Sequence, residues 1–134
     1  MMSSENQQRR IEALLDKEEI RQLRQRYSEL LDSGEADKMG EVFTEDAVVK
    51  VTVGSMEGLP AICSSLKDAY KAFDTHNRAH FPFVHAITNH QITLTGADTA
   101  TGSCYLLDFV TDRRARIQAR GVAGTLRDLV HKLL

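Results

Sequence analysis

The stretch VHAITNHQI, Val84 to Ile92, decides how this chain is read. Its aliphatic and β-branched residues suit a strand, yet it carries His85, Asn89 and His90. Burying an imidazole costs free energy unless its ring nitrogens find partners. Side chains of a strand alternate between two faces. By that rule His85, Ile87, Asn89 and Gln91 share one face, and Val84, Ala86, Thr88 and His90 the other. The two histidines meet on one face only across a bulge. Ile92 and Leu94 continue the His90 face, so a slip near Asn89 and His90 fits the pattern.

From Pro82 onward the pattern is strand throughout. FVHAITNHQITLTG ends at a turn containing Gly96, DTATGSCYLLDFVTD follows, and ARIQARGVAGTL comes after an arginine-rich turn. The tail RDLVHKLL suits strand or helix. Before Pro82 the period is mostly helical. Residues 1–9 are expected to fray. Asp16 with Glu19 reads as a capping box, opening KEEIRQLRQRYSELLDSG. There Ile20, Leu23, Tyr27, Leu30 and Leu31 form the apolar stripe and Gly34 the stop. A short helix in EADKMGEVF, a strand in DAVVKVTV and a helix in LPAICSSLKDAYKAF follow, the last with Pro60 in its first turn. Helices first and a strand meander last predict an α+β fold, a curved antiparallel sheet with helices over its concave face. Such a sheet leaves a cavity suited to a small ligand.

The bulk properties narrow the function classes. The 134 residues suffice for one domain, 1–134, and 42% are hydrophobic, enough for a packed core. A formal net charge of -2 recruits neither nucleic acid nor a membrane surface. No apolar run approaches membrane-spanning length, and MMSSENQQRR lacks the apolar centre of a secretory signal. Cys63 and Cys104 are far apart and read as thiols in a reducing compartment, which makes the cytoplasm the expected location. His76, His80 and His85 in HNRAHFPFVH lack metal-ligand spacing and no cysteine or acidic cluster joins them, so no metal or cofactor is expected. Arg113, Arg114, Arg116 and Arg120 read as a solvated rim.

Three segments together resemble a known family: IRQLRQRYSELLDSGEADKMGEVFTEDAVV, VHAITNHQITLTGADTATGSCYLLDF, and the glycine plus helix of MEGLPAICSSL. They look like a SnoaL-like, polyketide-cyclase-like domain of the nuclear transport factor 2-like superfamily, over roughly residues 10 to 112. The resemblance implies a cone-shaped α+β barrel, three to four N-terminal helices on a curved antiparallel or mixed sheet, with an open pocket. Relatives include dehydratases, isomerases and cyclases, and also non-catalytic small subunits of ring-hydroxylating dioxygenases. In dehydratase-like members an aspartate at the end of the first long helix pairs with a strand histidine. Those positions fall on Asp32 and His85, and a pocket tyrosine falls on Tyr27. Beyond residue 112 the chain departs from the family pattern, with Val122 and Ala123 after Gly121 and no tryptophan.

Asp32 and His85 suit acid–base chemistry. A carboxylate that accepts from one ring nitrogen fixes the tautomer and leaves the other nitrogen for substrate. Against this, Asp32 lies off the Tyr27 stripe on a regular helix, where a solvated residue is the plain alternative. Tyr27 is either a donor to a substrate carbonyl or a packed core residue. His80, Asn89, Tyr105, Met56 and Phe83 complete the candidate lining. Tyr105 and Asp108 lie on opposite strand faces, so one of them reaches the cavity. His90 reads as an outward residue.

Two functions of different class follow. The first is a cofactor-independent lyase or isomerase, dehydratase- or cyclase-like, acting on a small apolar, aromatic or polyketide-like molecule through Asp32, His85 and Tyr27. The second is a non-catalytic ligand-binding or assembly module, or a dioxygenase small subunit. In either case the resemblance implies a homodimer or homotrimer.

Overall fold

The computed structural model describes residues 3–51, 54–75, 77, 81–111 and 117–131. Helix α1 spans Ser4–Asp32, a short 3-10 helix spans Ala36–Glu41, and strands β1, Val48–Val51, and β2, Gly54–Glu57, form a hairpin. Helix α2 spans Leu59–Phe73. Strands β3, Phe83–Leu94, β4, Thr99–Thr111, and β5, Ile117–His131, then form a meander in the order β3-β4-β5. Every pairing among the described residues is antiparallel. The tail that suited strand or helix is therefore strand up to His131.

Helix α1 is a single helix of 29 residues, where the sequence suggested a short helical stripe at Ile11, Leu14 and Leu15 and a separate helix starting at Asp16. No glycine or proline interrupts residues 4–33, so nothing stops the helix from growing back to Ser3. The Ser3 side chain accepts from the Asn6 backbone N–H and caps it there. Asp16 and Glu19 are consequently interior residues, not a cap, and residues 4–9 are helical and exposed. The other end is fixed by Gly34. Its N–H donates to the Leu31 carbonyl at 3.1 Å, and the Glu35 N–H donates to the Leu30 carbonyl at 2.8 Å. These two bonds form a Schellman motif, which needs the left-handed φ of +77° that Gly34 supplies.

The second half of α1 is buried on two sides. Tyr27, Leu30 and Leu31 face the 3-10 helix and α2, where Leu30, Met39 and Ile62 are fully enclosed. Each such side chain contributes about 1.5–3 kcal/mol of transfer free energy. Ile20, Arg24, Ser28 and Asp32, spaced four residues apart on an adjacent row, are also buried. At the two ends of this row Asp32 meets His85 and Ile20 packs with Ile92 and Ala100. The helix thus lies along β3 and antiparallel to it.

Strand β3 changes face on the way. Thr88 pairs with Tyr105 and Gln91 with Ser103, so Asn89 and His90 together oppose Cys104. Asn89 sits at φ +51°, and the extra residue makes a bulge. Before it Phe83, His85 and Ile87 point to the helix; after it His90, Ile92 and Leu94 do. Strict alternation would have left His90 outside. The bulge instead puts it half-buried on the same face as His85, its Nε2 buried within 3.7 Å of where a Cβ on Gly102 would stand.

Candidate active site

The site is assembled where the end of α1 meets the start of β3. The Schellman turn holds Asp32 on the last helical residue, and the four-residue row turns its side chain toward the sheet. Asp32 is 5% exposed. It takes two hydrogen bonds from one residue: the His85 backbone N–H donates to Oδ2 at 2.9 Å, and the ring Nδ1 lies 2.5 Å from Oδ1. A carboxylate oxygen at that distance from a ring nitrogen is an acceptor, so Nδ1 carries the proton. The chelate fixes both the tautomer and the plane of the ring, and turns Nε2 away from the helix.

The other side of the ring faces β4. Asp108 is the register partner of His85, and its Oδ1 lies 3.9 Å from His85 Nε2. Phe83, two residues back on the same face, packs edge-on against the His85 ring at 5.2 Å between centroids. Its other edge meets Tyr70 of α2 at 5.1 Å. Burial, then the negative charges of Asp74 and Asp32, raise the Tyr70 pKa above the ordinary tyrosine value. Tyr70 therefore stays a neutral phenol beside the carboxylates.

The remaining candidates separate. Phe83 is buried against His85. Met56 packs on the Leu30–Met39–Ile62 core instead. Tyr27 meets Phe43 edge-on at 5.7 Å and carries the Arg24 guanidinium 4.7 Å above its ring, so its face is given to packing. Asn89 is exposed at the bulge, because positive φ there turns it out of the inner row. Tyr105 is 51% exposed on the outer face of β4; alternation gives the inner position to Asp108. His80 lies outside the described residues, as do His76, Arg113, Arg114 and Arg116.

Reading the sequence for apolar stripes missed Arg24 and Ser28. Arg24 and Ser28 are buried on the sheet-facing row, and their signal was the four-residue spacing that ends on Asp32. Among the described residues no group of three His, Cys, Asp or Glu is placed to hold a metal ion, and no helix is long and apolar enough to cross a membrane. A hollow of about 330 Å³ opens between α1, the 3-10 helix and α2, lined by Leu31, Gly34, Leu66 and Tyr70 with Lys67 and Lys71. His85 is not among its lining residues.

Comparison with known proteins agrees with this architecture. A solved protein from Nostoc punctiforme, described as of unknown function with a cystatin-like fold, superposes with a TM-score of 0.68 at 23% identity, covering 89% of this chain and 81% of its own. A candidate scytalone dehydratase from Novosphingobium aromaticivorans gives 0.70 at 21%, covering 90% and 76%. The β subunit of a candidate aromatic-ring-hydroxylating dioxygenase from the same organism gives 0.58 at 16%, covering 91% and 92%. At these identities the likeness is one of fold. No functionally curated protein matches the chain. The model of the SnoaL-like domain matches residues 12–132, reaching through β5 and past the point where the sequence pattern faded. The α+β chain described above belongs to the SnoaL-like domain family.

Proposed function

We propose that the protein is a cofactor-independent lyase or isomerase of the dehydratase or cyclase type, acting on a small apolar, aromatic or polyketide-like molecule. The observation that carries this reading is the two-point hold of Asp32 on His85, with Nδ1 2.5 Å from Oδ1. With Nδ1–H committed to the carboxylate, a neutral ring keeps a bare Nε2, the form required of a general base. Nε2 takes a proton from carbon next to an activating group. Asp32 then faces the imidazolium and stabilises it without itself moving a proton. Tyr27 has a packing role in this scheme. The fold likeness to a candidate scytalone dehydratase supports the reaction class.

The test is turnover of a panel of aromatic β-hydroxy ketones, followed by enone absorbance. Asp32→Ala and His85→Ala are each expected to lower the rate by on the order of 10²–10⁴. Unchanged rates in both variants would sink the reading.

Assembly is the second reading. Val84, Tyr105 and Leu107 are exposed together on the outer face of β3 and β4, an apolar row suited to another subunit, and the fold likeness to a dioxygenase β subunit points the same way. A large subunit that copurifies with the native protein would favour it over the enzyme.

A further inference from the structure

Asp108 is not explained by packing. It faces His85 in register, its Oδ1 is buried, and among the described residues no group donates a hydrogen bond to that oxygen. A buried acceptor left without a donor is costly. His85 Nε2 is 3.9 Å away, too far for a hydrogen bond. In a neutral ring whose Nδ1–H serves Asp32 it is also unprotonated. Two acceptors therefore face each other across a gap. One oxygen can sit about 2.8 Å from both at once, and the side chain of Asp108 is 39% exposed with Oδ1 on its buried side.

We infer that Asp108 and His85 form a seat for a single hydroxyl of the substrate, which makes Asp108 a substrate-binding and specificity-determining residue. The inference rests on the acid–base reading of His85 and deepens it. The hydroxyl donates its hydrogen to Asp108 Oδ1, which places its oxygen beside Nε2. The substrate class is then a hydroxy carbonyl compound whose hydroxyl-bearing carbon adjoins the carbon being deprotonated. The C–H bond breaks, its proton passes to Nε2, and its electron pair enters the carbonyl system as an enolate. Nε2–H next gives that proton to the seated oxygen. The C–O bond breaks with its pair on oxygen, water leaves, and the enolate pair forms the C=C bond. His85 ends neutral and Asp108 ends as the carboxylate it was, so the step needs no co-reactant. Because one nitrogen both takes and returns the proton, hydrogen and hydroxyl leave from the same face.

The experiment uses the full chain labelled with ¹⁵N-histidine and two probes, 4-hydroxy-2-butanone and 2-butanone, which share the ketone and differ by the hydroxyl. In the wild type the hydroxy ketone is expected to move the His85 ring resonances at least tenfold lower concentration than butanone. Asp108→Leu is expected to erase that preference. Asp108→Asn, which keeps the shape and removes the charge, is expected to reduce it and serves if the leucine variant does not fold. Equal responses to both ketones in the wild type, no response to either, or a preference that survives both substitutions overturns the seat. Failure of the acid–base reading has a different signature. The hydroxyl preference then persists and depends on Asp108, while no enone forms from 4-hydroxy-2-butanone in any variant.

Discussion

Asp32 takes both polar hydrogens that His85 offers toward the helix, the backbone N–H on one carboxylate oxygen and the ring Nδ1–H on the other. One side chain thus ties the last residue of α1 to the third residue of β3, so the same contact serves stability and chemistry. Removing it strands two buried donors. Asp32→Ala is expected to cost about 2–4 kcal/mol in equilibrium urea unfolding. Asp32→Asn keeps one oxygen for the backbone N–H but can turn an amide against the ring, and should cost less. Equal stability of wild type and Asp32→Ala would show that the chelate does not hold the helix to the strand.

Gly34 controls where Asp32 sits. A Cβ there would stand 3.1 Å from Tyr70 Cζ and 3.2 Å from its hydroxyl, at a φ that side chains rarely adopt. The Tyr70 ring is itself wedged against Phe83, which limits its retreat. Gly34→Ala is expected to destabilise by about 1–3 kcal/mol, from left-handed strain plus the clash. In the ¹⁵N-histidine spectrum it should also disturb the Nδ1 signal of His85. A loss of stability with an unchanged His85 signal would mean that the helix end and the site are not coupled.

The architecture was legible where local chemistry is strong. The change from helical to strand period at Pro82 gave the α+β order, and LPAICSSLKDAYKAF coincides with α2 because Pro60 marks its first turn and the apolar stripe is clean. The direction of Asp32 was harder. An apolar stripe through Tyr27, Leu30 and Leu31 dominates the helix, but α1 also buries an adjacent row whose members, apart from Ile20, are polar. Hydrophobic patterning is blind to a buried row of Arg24, Ser28 and Asp32. The inward turn of Asp108 over Tyr105 was equally hidden, since alternation separates two faces without saying which is inside. The continuity of α1 was hidden because Asp16 and Glu19 mimic a capping box between the Ile11, Leu14 and Leu15 stripe and the longer one, although no glycine or proline divides them.

Tyr70 offers a pH readout of the same corner. Its pKa is raised above the ordinary tyrosine value, first by burial and then by Asp74 and Asp32. A folded-state pKa above the unfolded one means that folding favours the protonated phenol. The stability linked to it is whole below about pH 10 and is lost as pH rises through the folded value. In an absorbance titration of tyrosinate, a component is expected to ionise above the ordinary tyrosine range, and Tyr70→Phe should remove it. Asp32→Asn should move it toward the ordinary value, because one of the two nearby charges is gone. A Tyr70→Phe variant whose titration keeps every late component of the wild type would contradict this.

The bulge makes the sharpest test of how β3 is built. Asn89 at φ +51° is the residue that takes the strand from its odd face to its even one. Asparagine tolerates the left-handed region far better than a β-branched residue does. Asn89→Gly should therefore be close to neutral, and Asn89→Val should cost about 1–2 kcal/mol. Deleting Asn89 is a different matter. It removes the extra residue and leaves plain alternation with His85, Ile87, His90, Ile92 and Leu94 on one face. His85 then stays on Asp32 and Ile92 stays on Ile20 and Ala100. The deletion also removes the left-handed residue, so it should cost less than Asn89→Val. Circular dichroism and urea unfolding of the three variants check the order, with valine the least stable. A deletion variant less stable than Asn89→Val would show that the faces of β3 are not set by this one extra residue.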